Sequence, residues 1–144
     1  MSNADKIQKA VKWILKQAKE SGIVVMKYES MSTNSVYLKF DDGVLGTLRV
    51  SDHSGKRHLK YKYNLVIGSE RKQVSSGQTV QVFAPFQDIE LLWNRIASDR
   101  RDLFCRYSAA SYEKFMEKNR NLSKDKKGFW QKAEYVQKKW RAEQ

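Results

Sequence analysis

Alternation of apolar and polar residues between positions 36 and 67 restricts this chain of 144 residues to folds that contain a β-sheet. Val36, Leu38 and Phe40 share one face of an extended segment, while Tyr37 and Lys39 share the other. Turn residues such as Asp, Ser and Gly separate the alternating segments, which predicts an antiparallel sheet of four or five strands. The predicted strands cover residues 23–28, 36–40, 46–52, 60–67 and 79–83.

Helical periodicity flanks the predicted sheet on both sides. Residues 3–21 repeat apolar side chains at the spacing of one helix face, and Ser2 and Gly22 are suitable caps. Further helices are predicted over 86–104, 109–120 and about 124–143. The order predicts one α+β domain over 1–144, with the N-terminal helix, then the sheet, then two or three C-terminal helices. Residues 119–144 are a candidate protruding, partner-binding helix through which a homo-oligomer would form.

Net charge indicates the class of partner. The chain has 28 lysine and arginine residues against 16 aspartate and glutamate residues, a net charge of +12. Such an excess favours a polyanionic partner, most often nucleic acid or a nucleoprotein. The excess lies in residues 1–22, 23–84 and 106–144, whereas residues 85–105 are nearly neutral. We therefore expect 85–105 to contain an internal helix that faces the core.

The second face of the predicted sheet is the candidate nucleic-acid-binding surface. Its polar and aromatic side chains could neutralise phosphates and stack on a base. The candidate residues are Tyr37, Lys39, Arg49, His53, Lys60 and Lys62. The other interpretation is an ordinary basic surface without a ligand. Should a helix cover this face, the contact surface would move to the C-terminal helix or to Lys9, Lys12, Lys16 and Lys19 on the first helix. The other interpretation of these four lysines is a solvated helix face.

Catalytic patterns in the sequence are weak, and the leading hypothesis is a non-enzymatic protein without metal or cofactor. Ser51, Asp52 and His53 contain the residue types of a hydrolase triad, but neighbours on a strand point to opposite sides, so a turn at the strand end is predicted instead. His53, His58 and Cys105 match no zinc signature. The enzymatic alternative is a divalent-metal nuclease, in which two carboxylates hold Mg²⁺ near a lysine. Its residues would be Asp52, Glu70 and Lys72.

One stretch of the chain resembles small phage and plasmid proteins. The segment Leu48-Arg49-Val50-Ser51-Asp52-His53, followed by a strand that ends at Asn64-Leu65-Val66-Ile67, is similar to a phage-encoded family of CRISPR-effector inhibitors. This chain has Asp52 where that family has asparagine. The resemblance covers residues 36–67 and implies a mobile-element origin and a nucleoprotein target. A protein-binding inhibitor of a nucleic-acid enzyme is therefore a third hypothesis.

Location is predicted from what the sequence lacks. No apolar run approaches the length of a membrane span, and the segment MSNADKIQKAV has no apolar signal core. The single Cys105 is consistent with a reducing compartment. These features predict a cytoplasmic protein without a membrane partner.

Overall fold

A computed structural model describes residues 1–55, 61–123 and 128–142 of the chain. Its helices are α1 (Asn3–Ser21), α2 (Ile89–Tyr107) and α3 (Ala109–Ser123). Its strands are β1 (Val25–Glu29), β2 (Val36–Phe40), β3 (Gly46–Ser51), β4 (Tyr63–Val66), β5 (Lys72–Ser76), β6 (Thr79–Ala84) and β7 (Glu134–Gln137). The α+β class and the N-terminal helix are confirmed.

All seven strands form one mixed sheet in the order β5-β6-β4-β3-β2-β1-β7. The pairs β3–β4 and β4–β6 are parallel, and the other pairs are antiparallel. The prediction of four or five antiparallel strands is therefore wrong in number and in direction. Alternation reports which residues share a face, and it is the same for parallel and antiparallel pairing.

The main core lies between one face of the sheet and helices α1 and α2. Register places Leu38 opposite Leu48 and Val50 opposite Leu65, so that their side chains form an apolar layer. Helix α1 buries Ile7, Val11 and Ile14 against that layer. Helix α2 buries Leu92, Trp93 and Ile96 in the same core, which confirms that the nearly neutral segment faces inward.

Local signals fix the ends of α1 as the sequence predicts. The Ser2 hydroxyl accepts a hydrogen bond of 3.1 Å from the Asp5 amide, which satisfies one of the free N–H groups of the first turn. Gly22 ends the helix with φ of 71°, a left-handed conformation that a residue with a Cβ adopts at a cost. The two caps therefore fix the first and last turns of α1, and with them the extent of its outward face.

The C-terminal segment departs most from the prediction. Within 128–142, the chain forms a short 3-10 turn at Phe129–Lys132 and then β7, which pairs antiparallel with β1. The predicted helix over 124–143 is therefore wrong for these residues, and they offer no helical surface for a homo-oligomer. Trp140 instead packs on Phe104 and Tyr112, with ring centres 6.2 and 6.3 Å apart. This tertiary contact outweighs the local helical periodicity.

A buried arginine holds the C-terminal segment in place. The side chain of Arg100 is fully buried, and its Nε donates a hydrogen bond of 2.9 Å to Asp41 Oδ2. Its other nitrogens donate to the carbonyl oxygens of Ser21, Gly22 and Arg141. These contacts join the end of α1, helix α2 and the chain after β7 at one point.

Tyr112 completes this buried cluster. Its hydroxyl donates a hydrogen bond of 2.5 Å to Asp41, and burial, together with the Asp41 carboxylate, raises the pKa of Tyr112. Asp41 also accepts a hydrogen bond from the Val24 amide. The carboxylate therefore has a donor at each side, as a buried charge requires.

No helix in the described part of the chain has the length and apolar character needed to cross a bilayer.

Candidate nucleic-acid interface

The sheet face opposite α1 and α2, here called the far face, carries Tyr37, Lys39 and Arg49, as sequence alternation predicts. Strand register sets Tyr37 opposite Arg49 and Lys39 opposite Thr47. Arg49 is in turn opposite Asn64 on β4. The predicted assignment of side chains to two faces is thus correct in β2 and β3.

Arg49 is nevertheless buried, with only 2% of its surface exposed. One guanidinium nitrogen donates hydrogen bonds to Ser51 Oγ (3.0 Å) and to the His53 carbonyl oxygen (2.8 Å). Gly55 packs so closely that a Cβ there would lie 3.3 Å from the guanidinium. The prediction that Arg49 is exposed is wrong, because the chain after β3 folds back over the far face.

We expect the substitution Arg49→Ala to lower the free energy of unfolding by about 1–3 kcal/mol, because it leaves buried acceptors without their donor. Urea unfolding followed by circular dichroism measures this change. Arg106→Ala is the matched control, since Arg106 is exposed on α2. A change below about 0.5 kcal/mol for Arg49→Ala, typical of exposed positions, would contradict the structural role of Arg49.

His53 contacts both Ser51 and Asp52 at the bend that ends β3, where the sequence predicts a turn. His53 Nδ1 lies 3.2 Å from Ser51 Oγ and 3.0 Å from Asp52 Oδ1, because the chain bends immediately after β3. The hydrogen bond from His53, with another from Asn34, holds the pKa of Asp52 below its usual value.

This trio does not have the geometry of a catalytic triad. A triad uses the two ring nitrogens of histidine for two different partners, whereas here a single nitrogen faces both Ser51 and Asp52. The Ser51 side chain is fully buried and lies 2.7 Å from the Ser35 hydroxyl. The arrangement therefore ties the end of β3 to the chain before β2.

The two described lysines among the candidates contact other side chains. Lys62 Nζ lies 3.8 Å from Asp99 on α2, and burial lowers the pKa of Lys62. Asp99 also accepts a hydrogen bond of 2.6 Å from the Tyr63 hydroxyl. Lys39 Nζ lies 4.5 Å from the centre of the Trp130 ring. Lys60 and His58 lie outside the described residues.

Aromatic rings on the far face pack mainly against one another. Tyr37 lies 5.2 Å from Tyr61 and 5.1 Å from Phe129, measured between ring centres. Phe129 also lies 4.8 Å from Tyr28. All four residues are half-buried. A groove of about 520 Å³ opens beside Tyr61 and Lys62. Tyr37 is thus a member of an aromatic cluster rather than an open ring.

The three residues of the nuclease alternative contact different neighbours in the structure. Asp52 is bonded to His53 and Asn34, Glu70 is exposed in the loop before β5, and Lys72 lies 5.1 Å from the Phe83 ring centre. No hydrogen bond or ion pair within 1–55, 61–123 and 128–142 joins these three. In the same ranges, no three His, Cys, Asp or Glu side chains form a group that could hold a metal ion.

The outward face of α1 carries four exposed lysines, here called the lysine ridge: Lys9, Lys12, Lys16 and Lys19. They span about 15 Å of helix at 1.5 Å per residue. As far as the described residues show, none of their ammonium groups lies within 4.0 Å of a carboxylate. The ridge is therefore a row of exposed cations that form no ion pair with the described part of the chain.

The chain after β7 adds further cations near the end of the ridge. The Arg141 amide donates a hydrogen bond of 2.9 Å to the Gly22 carbonyl, and its guanidinium donates to the Glu20 carbonyl. Lys138 and Lys139, which precede it, are exposed. The sequence gives no sign of this proximity, because it depends on β7 and on the buried Arg100.

Comparisons with protein-family models, with curated proteins and with solved structures find no match for this chain.

Proposed function

We propose that this protein binds nucleic acid, or the nucleic acid of a nucleoprotein, without catalysis, and that the lysine ridge is its principal contact surface. The observation that carries the proposal is the row of four exposed lysines, none of which has a carboxylate within 4.0 Å among the described residues. The net charge of +12 on the whole chain supports it. An exposed row of ammonium groups binds phosphates with release of their condensed counterions.

The far face is the weaker of the two basic surfaces for this purpose. The Arg49 guanidinium donates its bonds inside the protein, and Lys62 faces Asp99. Binding of phosphates there would require these contacts to break. The lysine ridge requires no such rearrangement, since its ammonium groups are already in solvent.

Recognition by the ridge would be of the backbone rather than of base sequence. Lysines that contact phosphates fix a protein on nucleic acid but carry no information about sequence. We therefore propose an accessory role in which the protein covers or positions nucleic acid. The resemblance over residues 36–67 supports a phage or other mobile element as the source of the chain, and a nucleoprotein as the target.

We expect binding to a duplex of about 20 base pairs to weaken with salt, with a slope of log K against log salt of about −3.6 for four phosphate contacts. This slope corresponds to a loss of about 150-fold in affinity between about 50 and 200 mM salt. Fluorescence anisotropy with labelled DNA and RNA measures it. Absence of binding to both at low salt would overturn the proposal and favour a protein-binding inhibitor.

A further inference from the structure

Strand β5 forms one edge of the sheet, and all five of its residues are exposed. It pairs with β6 through a two-residue turn at Gly77 and Gln78, with Ser76 opposite Thr79. In a hairpin with a two-residue turn, the two residues that flank the turn are joined by backbone hydrogen bonds. Along the strands, hydrogen-bonded pairs then alternate with pairs that are not hydrogen-bonded. The N–H and C=O groups of Gln73 and Ser75 therefore point away from β6, where another strand could pair with them.

An apolar groove of about 290 Å³ lies beside this edge, between the hairpin and α2. Val82 and Leu92 contribute to its lining, and Leu91 at its border is 49% exposed. The groove has room for one apolar side chain. A peptide strand paired with β5 would project every second side chain toward the same side of the sheet.

The charged residues around the groove indicate which kind of partner would bind there. Its lining includes Arg71, Lys72 and Arg95 and no carboxylate. Arg95 is bonded to Asp99 and to Gln73, whereas Arg71 and Lys72 are exposed at the entrance. A second copy of this chain carries the same net charge of +12 and the same cations at this edge, so charge disfavours β5–β5 pairing. A segment with acidic side chains is complementary.

We propose that the edge of β5 and the adjoining groove bind an extended, acidic peptide segment of a partner protein. The segment pairs with β5 as an additional strand, inserts one apolar side chain beside Leu91, and places carboxylates near Arg71 and Lys72. This is the strand-addition mode of recognition, in which backbone hydrogen bonds supply affinity and the groove supplies specificity. The site is independent of the lysine ridge and does not rest on nucleic-acid binding.

A fluorescent peptide of about seven residues that alternates leucine with aspartate is the probe, since alternation suits an added strand. We expect the full-length protein to bind it, and Leu91→Asp to weaken binding at least about tenfold by placing a charge in the groove. The double substitution Arg71→Glu and Lys72→Glu is expected to have a similar effect. Arg106→Glu and Lys132→Glu together are the matched control, and they should leave the affinity within about twofold.

Two further probes separate strand addition from simple attraction of charges. The same peptide with alternate backbone amides methylated should bind at least about tenfold more weakly, because methylation removes the donors that pair with β5. Replacement of the ridge lysines by glutamine should leave peptide binding unchanged. Three results would each overturn this proposal. The first is equal binding of the methylated peptide, and the second is loss of peptide binding in the ridge variant. The third is an Arg71/Lys72 variant that loses DNA binding but keeps peptide binding.

Discussion

Replacement of Arg100 by methionine is expected to lower the free energy of unfolding by about 3–5 kcal/mol, the largest effect of any single substitution considered for this protein. Methionine fills a similar volume but leaves the buried Asp41 carboxylate without its charged partner. It also removes the donors to the carbonyl oxygens of Ser21, Gly22 and Arg141. Unfolding in urea, followed by circular dichroism, measures the loss.

The control for this prediction is Arg106→Met, because Arg106 is an exposed arginine on the same helix. It should change the free energy of unfolding by about 0.5 kcal/mol or less. The double substitution Arg100→Met and Asp41→Asn should recover part of the stability, since the uncompensated charge is then removed. A loss for Arg100→Met no larger than the control would show that Arg100 does not hold these elements together.

Replacement of all four ridge lysines by glutamine is expected to reduce the salt slope of nucleic-acid binding by about 3–4, one unit for each lost phosphate contact. At low salt, affinity should fall by about 100-fold or more. Folding should survive, because the four residues are exposed and glutamine has a helix propensity close to that of lysine. Fluorescence anisotropy over a series of salt concentrations measures both quantities.

A second variant with four substitutions distinguishes the contribution of the ridge lysines to binding from that of net charge. Arg106, Lys114, Lys118 and Lys132 are exposed on or after α2 and α3, and their replacement by glutamine removes the same charge. We expect this variant to change the slope by about one unit or less, since its residues make no direct phosphate contact. Equal losses in the two variants would contradict the assignment of the ridge, and would leave only a general attraction of a basic protein for a polyanion.

The main core was accessible from sequence because it depends on local periodicity. The alternation in residues 36–40 and the helical spacing in residues 3–21 each identify a buried face that the structure confirms. β5 and β7 were missed for different reasons. β5 is exposed along its whole length and has only one apolar side chain, Val74, whereas β7 becomes a strand only by pairing with β1. A strand that forms by pairing with a distant segment has little strand pattern in its own residues.

In the candidate site as well, local sequence patterns predict which face a side chain is on, whereas contacts with other segments determine its burial. Sequence alternation correctly assigns Arg49 to the far face, but its burial depends on Gly55, which reaches it through a bend after β3. The same bend brings the side chain of Asp52 to that of His53, although neighbours on a regular strand point to opposite sides. The four lysines of the ridge were visible as a stripe. That none of them forms an ion pair within residues 1–55, 61–123 and 128–142 is known only from the tertiary structure, and it distinguishes them from Lys62.

Mass spectrometry after acetylation, with and without a bound duplex, reports the accessibility of each lysine ammonium group separately. We expect the duplex to protect Lys9, Lys12, Lys16 and Lys19, while Lys114 and Lys118, which are also exposed, react as in the free protein. Measurement at low salt, where binding is tightest, gives the clearest difference. If the four ridge lysines react unchanged under conditions where anisotropy shows the duplex to be bound, the ridge is not the nucleic-acid contact surface.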